Sequence, residues 1–268
     1  MLSMKNGEVS FAEGTMPYVR FGRGKKTLMM LPGLGDGLRT VKGTALPMAL
    51  LYRRFAKDYT VYLFSRRQNL PQGHGTEEMA RDVKLAMDVL GIEQADVIGV
   101  SMGGMIAQHL AAEYPEKVRK LVLVVTCPKA NPILTESVEE WVALAERGDH
   151  GGLMKSNLQR MYSAEYCRKN SWLIPVVGTL TAPRSYERFF AQARACLTHD
   201  AWDKLQRITA KTLVIGGEKD IALGGEASRE LAGQISEAEL KIYPEWGHAL
   251  YEEAKDFQQI VLDFLLKE

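Results

Sequence analysis

A doubly wound α/β fold with a mostly parallel sheet is what the sequence predicts, and three observations predict it. Short β-rich runs alternate with helical patterns along most of the chain. The middle runs are nearly continuous in apolar residues, as strands are when helices cover both faces of their sheet. The alternation breaks once, between about Pro128 and Arg207, where strand-like runs vanish. The expected architecture is one domain with about eight strands, its core at 1–127 and 208–268 and a helical insertion over 128–207.

Taken in order, Glu8–Phe11 and Met16–Phe21 read as a hairpin, and Lys26–Leu31, Thr60–Phe64, Ala95–Val100 and Lys120–Val125 as successive strands. Met79, Val83, Met87 and Leu90 recur at helical spacing, as do Met105, Ile106, His109, Leu110 and Glu113, which makes both segments crossover helices. In the insertion, Trp141, Leu144, Tyr162, Tyr166, Trp172, Phe189 and Phe190 sit in segments separated by Gly148, Gly151, Gly152, Pro175 and Pro183. Most of these aromatics are expected to build the insertion's own core, and some to face whatever it covers. Thr212–Ile215 and Glu239–Tyr243 supply two more strands, and the stripe Phe257, Ile260, Val261, Phe264, Leu265 docks a final helix on the sheet.

Composition excludes several function classes. Of 268 residues, 34 are Lys or Arg and 33 are Asp or Glu, for a formal charge of +1. With no basic stripe there is little attraction for nucleic acid or an anionic bilayer. Apolar runs such as Leu121–Val125 fall far short of the roughly 20 residues that cross a membrane. Lys5, Asn6, Gly7 and Glu8 interrupt the stretch a secretory signal would need. Cys127, Cys167 and Cys196, without Cys-x-x-Cys spacing, fit a reducing compartment. A cytoplasmic protein acting on a small molecule is the expectation, with neither nucleic acid nor membrane as partner.

The chemistry starts at Gly99-Val100-Ser101-Met102-Gly103, which ends one predicted strand and opens a helix. Glycines two before and two after the serine let chain pass close to a strained turn that pushes the hydroxyl out over the sheet's carboxyl edge. Ser101 is therefore a candidate nucleophile. It needs a base, and a neutral imidazole is suited to that task near neutral pH. His74 lies in a polar loop, His109 faces away from the helix start, and His150 and His199 fall in the insertion. His248 follows the strand Glu239–Tyr243 through Pro244-Glu245-Trp246-Gly247 and emerges at the same edge as Ser101. An acid must hold the imidazole's tautomer. Asp220, in Gly216-Gly217-Glu218-Lys219-Asp220, emerges at that edge too, with Glu218 as the local rival.

The order Ser101, Asp220, His248, together with the glycine-flanked turn, resembles the α/β-hydrolase superfamily, whose triad runs nucleophile, acid, histidine. The resemblance spans essentially the whole chain and is loosest in the insertion, which corresponds to the family's variable cap. It implies Ser101 as nucleophile, His248 as base and Asp220 as orienting acid. Leu31-Pro32-Gly33-Leu34-Gly35-Asp36 matches the family's His-Gly-x-Gly oxyanion loop, with Pro32 in place of the histidine. The backbone N–H groups of Leu34 and Met102 are then the implied oxyanion donors. A second departure is Phe64-Ser65-Arg66-Arg67-Gln68, where relatives often carry Asp-x-Arg-Gly.

Competing chemistries fit less well. Gly33-Leu34-Gly35-Asp36-Gly37 lacks the third-glycine spacing of a dinucleotide loop, and no Gly-x-x-x-x-Gly-Lys occurs. No His-x-x-x-His, His-x-His or cysteine pair offers metal ligands. The activity that the resemblance implies is hydrolysis of a small carboxylic ester or related acyl substrate through an acyl-enzyme, with no cofactor and no metal. Lactone hydrolysis, perhydrolysis, cleavage of a C–C bond beside a ketone, and a slow signalling or receptor role are the alternatives the same triad admits. Trp141, Trp172, Phe190 and Trp246 are the candidate substrate-binding aromatics, and the insertion is expected to choose the substrate while leaving bond breaking to the sheet edge. Oligomeric state leaves no signal in the sequence.

Overall fold

The structure, a computed structural model, describes residues 3–173, 178 and 181–267. Pro175, read above as a separator, lies outside them. Eight strands form one sheet: β1 (Met4–Phe11), β2 (Gly14–Phe21), β3 (Lys26–Leu31), β4 (Tyr59–Phe64), β5 (Ala95–Val100), β6 (Val118–Val124), β7 (Lys211–Gly217) and β8 (Glu239–Tyr243). Their spatial order is β1-β2-β4-β3-β5-β6-β7-β8. The hairpin β1–β2 and the β2–β4 pair are antiparallel, and every pairing from β4 to β8 is parallel. Parallel neighbours need crossovers, and these carry the helices.

Helices α1 (Ala45–Leu51), α2 (Thr76–Val89) and α3 (Met102–Glu113) precede β6. Between β6 and β7 run α4 (Pro132–Glu146), α5 (His150–Met161), α6 (Ala164–Asn170) and α7 (Glu187–Leu197). The chain closes with α8 (Ala227–Gln234), α9 (Leu250–Glu253) and α10 (Phe257–Leu266). Alternation along each buried strand builds two apolar layers. Val97, Leu121 and Leu123 face α2 and α3 through Val83, Met87, Ile106 and Leu110. Ile98, Val122 and Val124 share the opposite layer with Ala49, Phe257, Val261 and Leu265. Both faces are thus covered, which is why the central strands are almost continuously apolar.

Helices α4, α5 and α6 begin at side-chain caps: Asn131, Asp149 and Ser163 accept from the N–H groups of Leu134, Gly152 and Tyr166. Each cap is worth about 1 kcal/mol. Helix α7 rests on the turn after β3. A Cβ added to Gly37 would lie 2.8 Å from Phe189 Cα, so only a glycine lets the helix backbone come this close. Among the described residues no helix is long and apolar enough to cross a membrane.

His109 of α3 and His199 meet edge-on, 5.4 Å between ring centroids. His199 Nε2–H donates to Cys127 O and its Nδ1 accepts from the Thr76 hydroxyl, while His109 Nδ1 is buried with no partner among the described residues. Burial pushes His109 down to about 4 and His199 down to about 3. Unfolded imidazoles titrate near 6.5, so between about pH 6.5 and 4 the unfolded chain binds protons that the folded chain refuses. Stability from this pair is intact above that window and is lost as pH falls through it. Thermal melts should show Tm steady above pH 7 and dropping toward pH 4, with a shallower drop for His109→Leu. Equal slopes for the two proteins would show that His109 is not held neutral.

Candidate active site

Ser101 sits where β5 stops and α3 starts. Its backbone is at φ 53° and ψ −121°, a left-handed conformation that costs an L-residue about 1–3 kcal/mol. The turn is pinned on both sides. Ser101 N–H donates to Val124 O at 2.9 Å, continuing the sheet ladder to the last residue before the helix. Behind it the backbones touch: a Cβ on Gly103 would lie 1.9 Å from Leu31 O, and one on Gly99 2.5 Å from Gly103 O. These two glycines let the chain turn sharply enough to lift the serine hydroxyl clear of the sheet.

The loop after β3 passes over that hydroxyl, with an ideal Cβ on Gly33 3.3 Å from Ser101 Cβ and 3.8 Å from its Oγ. Leu34 opens a 3-10 turn, Leu34–Gly37, and Met102 opens α3. A first helical residue has no carbonyl four positions back, so both N–H groups are orphan donors at the positive end of a helical segment. Among the described residues neither donates to a backbone carbonyl. They have the chemistry of oxyanion ligands.

The acid and base loops come from β7 and β8 and are zipped together by backbone bonds. Glu218 N–H donates to Tyr243 O at 3.0 Å and Lys219 N–H to Trp246 O at 3.1 Å. A Cβ on Gly217 would lie 2.5 Å from Trp246 O, so its bare Cα is what permits the approach. Asp220 Oδ2 then stands 2.7 Å from His248 Nδ1. Oδ1 accepts from the N–H groups of Ala222 at 2.8 Å and Leu223 at 3.0 Å, so the carboxylate is held at both oxygens. Asp220 is 6% exposed and His248 3%. A proton on Nδ1, held by the carboxylate, leaves Nε2 as the acceptor, which is the tautomer a general base needs. Glu218 goes elsewhere: it pairs with Arg229 at 2.7 Å in solvent. Among the described residues no hydrogen bond engages Ser101 Oγ.

Residues 26–255 match the family described as the alpha/beta hydrolase fold. The chain belongs to that family. It is 31% identical, over 69% of this chain and 68% of the relative, to the 2-hydroxy-6-oxononadienedioate/2-hydroxy-6-oxononatrienedioate hydrolase of Comamonas testosteroni. The 2-hydroxy-6-oxo-6-phenylhexa-2,4-dienoate hydrolase of the same organism is 27% identical over 97% of this chain and 94% of its own. Among solved structures, the enol-lactonase from Burkholderia xenovorans LB400 shares the fold, with TM-score 0.82, 23% identity, and coverage of 97% of this chain and 100% of that one. This α/β hydrolase is an enzyme, and the C-terminal edge of its sheet carries the residues singled out above.

Other histidines of the hydrolase have partners of their own. His74 bonds Asp82 at 2.7 Å, and Tyr186 O–H lies 2.9 Å from His150 Nδ1. The hydrolase also brings Glu77, His109 and Glu113 together, residue types that ligate metals, but Lys204 Nζ already bridges the two carboxylates at 2.7 and 2.5 Å.

The four aromatics expected at the substrate are scattered. Trp141 is 8% exposed and donates from Nε1 to Ser156 Oγ at 3.2 Å, inside the packing of α4 on α5. Trp172 is 70% exposed. Trp246 is half-buried against the layer containing Tyr243 and Leu250. Phe190 lies on α7 beside Tyr186 and Phe189, on the helix seated against the Leu34–Gly37 turn. The sequence reading missed the partners of that turn. Asp36 is 4% exposed and pairs with Arg188, 152 residues away, a distance across which no local pattern carries a signal.

Proposed function

We propose that this hydrolase cleaves a small carboxylic ester, or a related acyl substrate, through an acyl-enzyme on Ser101. The Asp220–His248 bond at 2.7 Å, on the sheet edge that also carries a left-handed serine turn, is the observation that supports it. His248 Nε2 takes the proton as Ser101 Oγ attacks the carbonyl carbon. The N–H groups of Leu34 and Met102 bind the oxyanion that forms. His248 then protonates the leaving alcohol, and water activated by the same nitrogen releases the acid. No cofactor enters this scheme. The helices between β6 and β7 act as the cap that shapes the acyl pocket, with Phe190 the best placed of the four aromatics.

A second reading, cleavage of a C–C bond beside a ketone or of a lactone, is favoured by the names of the relatives, which act on oxo-dienoates. Those substrates are anions, and an anion in a low-dielectric site needs a cation with donors to spare. Arg188, on the helix over the oxyanion turn, is spent on Asp36 and on the carbonyls of Asp36, Arg66 and Arg67, so it does not serve such an anion. Uncharged acyl groups are the expected preference, and Lys155, Arg168 and Lys219, which line a cavity reaching Gly247 next to His248, are the cations that an anionic substrate would use under the second reading. Turnover of p-nitrophenyl esters from acetate to decanoate, set beside the hemisuccinate and a 6-oxo-dienoate, tests this. Neutral short-chain esters should lead by at least about tenfold, the scale of one or two pocket contacts. A faster 6-oxo-dienoate or hemisuccinate would select the second reading.

A further inference from the structure

We propose that Arg188 and Asp36 form a clamp by which the α7 helix holds the oxyanion donor of Leu34 in place, so that the cap takes part in bond breaking as well as in substrate choice. This rests on the reading of Ser101 as nucleophile. The segment Gly33-Leu34-Gly35-Asp36-Gly37 alternates glycine with other residues, and such a chain has little conformational preference of its own. Its backbone bonds are short-range and reach no other element: Asp36 N–H to Gly33 O at 3.2 Å, and Leu38 and Arg39 N–H to Gly35 O at 3.0 and 3.1 Å. Yet an oxyanion donor must be fixed to within a fraction of an ångström before the transition state forms.

Asp36 supplies the fixing. Its Oδ2 accepts from the Arg188 guanidinium, from Gln192 Nε2 at 3.2 Å and from Arg66 N–H at 3.1 Å. Those donors come from α7 and from the loop after β4, so one carboxylate ties the turn to two independent elements. Arg188 also donates from Nε to Asp36 O at 3.3 Å, from Nη1 to Arg67 O at 2.6 Å and from Nη2 to Arg66 O at 3.1 Å. Arg66, itself buried, donates from Nη2 to Pro32 O. The turn is thus gripped on either side of Leu34, at Pro32 and at Asp36. Only the planar guanidinium fork matches this set of acceptors, because an ammonium presents its donors from a single point.

A residue that positions an oxyanion donor has a signature that a packing residue lacks. Replacing the substrate's carbonyl oxygen by sulfur weakens its hydrogen bonds to the hole, so an intact hole prefers an oxo ester to its thionoester and a loosened hole prefers it less. For Arg188→Ala we expect kcat on a neutral p-nitrophenyl ester to fall by about 10- to 100-fold with KM within about twofold, since one donor is misplaced and none removed. The oxo-to-thiono ratio should shrink, and added guanidinium ion should restore part of kcat. If Arg188→Ala does not fold, Gln192→Met, which leaves the ion pair and removes one donor, should show the same change in ratio at smaller size. Unchanged kcat, or a fall in kcat with the oxo-to-thiono ratio intact, overturns the clamp. A fluorophosphonate probe run in parallel separates the two claims. Labelling of the wild-type at Ser101 with an undisturbed clamp variant rejects only the clamp, whereas failure to label Ser101 rejects the nucleophile and the clamp with it.

Discussion

Ser101→Ala is expected to abolish covalent labelling by a fluorophosphonate probe and to cut ester turnover by about 10⁴-fold or more. A fluorophosphonate reacts at phosphorus only with a serine whose proton has somewhere to go and whose developing P–O charge is received by donors. In the mechanism proposed above, His248 takes that proton and the N–H groups of Leu34 and Met102 receive that charge, so Ser101 is the expected site of labelling. Its backbone is held at φ 53° by the ladder bond to Val124 and the close glycine contacts behind it, so the hydroxyl is presented rather than packed. The alanine variant keeps that backbone, since Ala tolerates φ > 0 no worse than Ser, and it keeps the Asp220–His248 pair 2.7 Å apart. It should therefore fold with a Tm close to wild-type and still bind substrate, which separates loss of chemistry from loss of structure. Labelling that survives in Ser101→Ala, located by peptide mass mapping on another serine, would remove Ser101 from the mechanism.

The features legible in the sequence share one property: they are written in consecutive residues. β3, β5 and β8 fall at the predicted bounds because each is a β-rich run closed by a turn signal, and the Ser101 turn needs only five residues to declare itself. Helix α1 gave no such signal for a physical reason. It buries Ala45 and Ala49 and leaves Leu46, Leu50 and Leu51 half exposed, which inverts the pattern that marks an amphipathic helix. Helix α8 is short and follows Gly224-Gly225, so its apolar face is too brief to count. The aromatics of the insertion show the other limit. Composition said that some would face the site, but Trp141 turns inward to Ser156 and Trp172 faces solvent, and only three-dimensional packing separates such cases. The same holds for Arg188, an unremarkable helix-start arginine in sequence whose partner stands in the loop after β3.

Asp220→Asn should fold and yet lose about 10³- to 10⁴-fold in kcat, while Glu218→Gln loses little. The asymmetry follows from what each carboxylate touches. Glu218 is an exposed partner of Arg229, and an exposed pair of this kind contributes about 0–1 kcal/mol at most. Asp220 is buried with both oxygens engaged: Oδ1 on the N–H groups of Ala222 and Leu223, Oδ2 on His248 Nδ1. An asparagine in its place keeps its Oδ1 acceptor for the two backbone donors, which is the lower-energy orientation, and so turns its amide N–H₂ toward the imidazole. That amide donates where the carboxylate accepted. His248 then carries its proton on Nε2, pointing at Ser101, and cannot take the serine's proton. The little activity left comes from the minority in which the amide is flipped, and from the oxyanion donors, which the substitution does not touch. KM should therefore stay within a few-fold of wild-type while kcat collapses, and fluorophosphonate labelling should slow in proportion. Steady-state kinetics on one neutral p-nitrophenyl ester, with melts to establish folding, decides it: a Glu218→Gln defect larger than that of Asp220→Asn would move the acid two residues upstream.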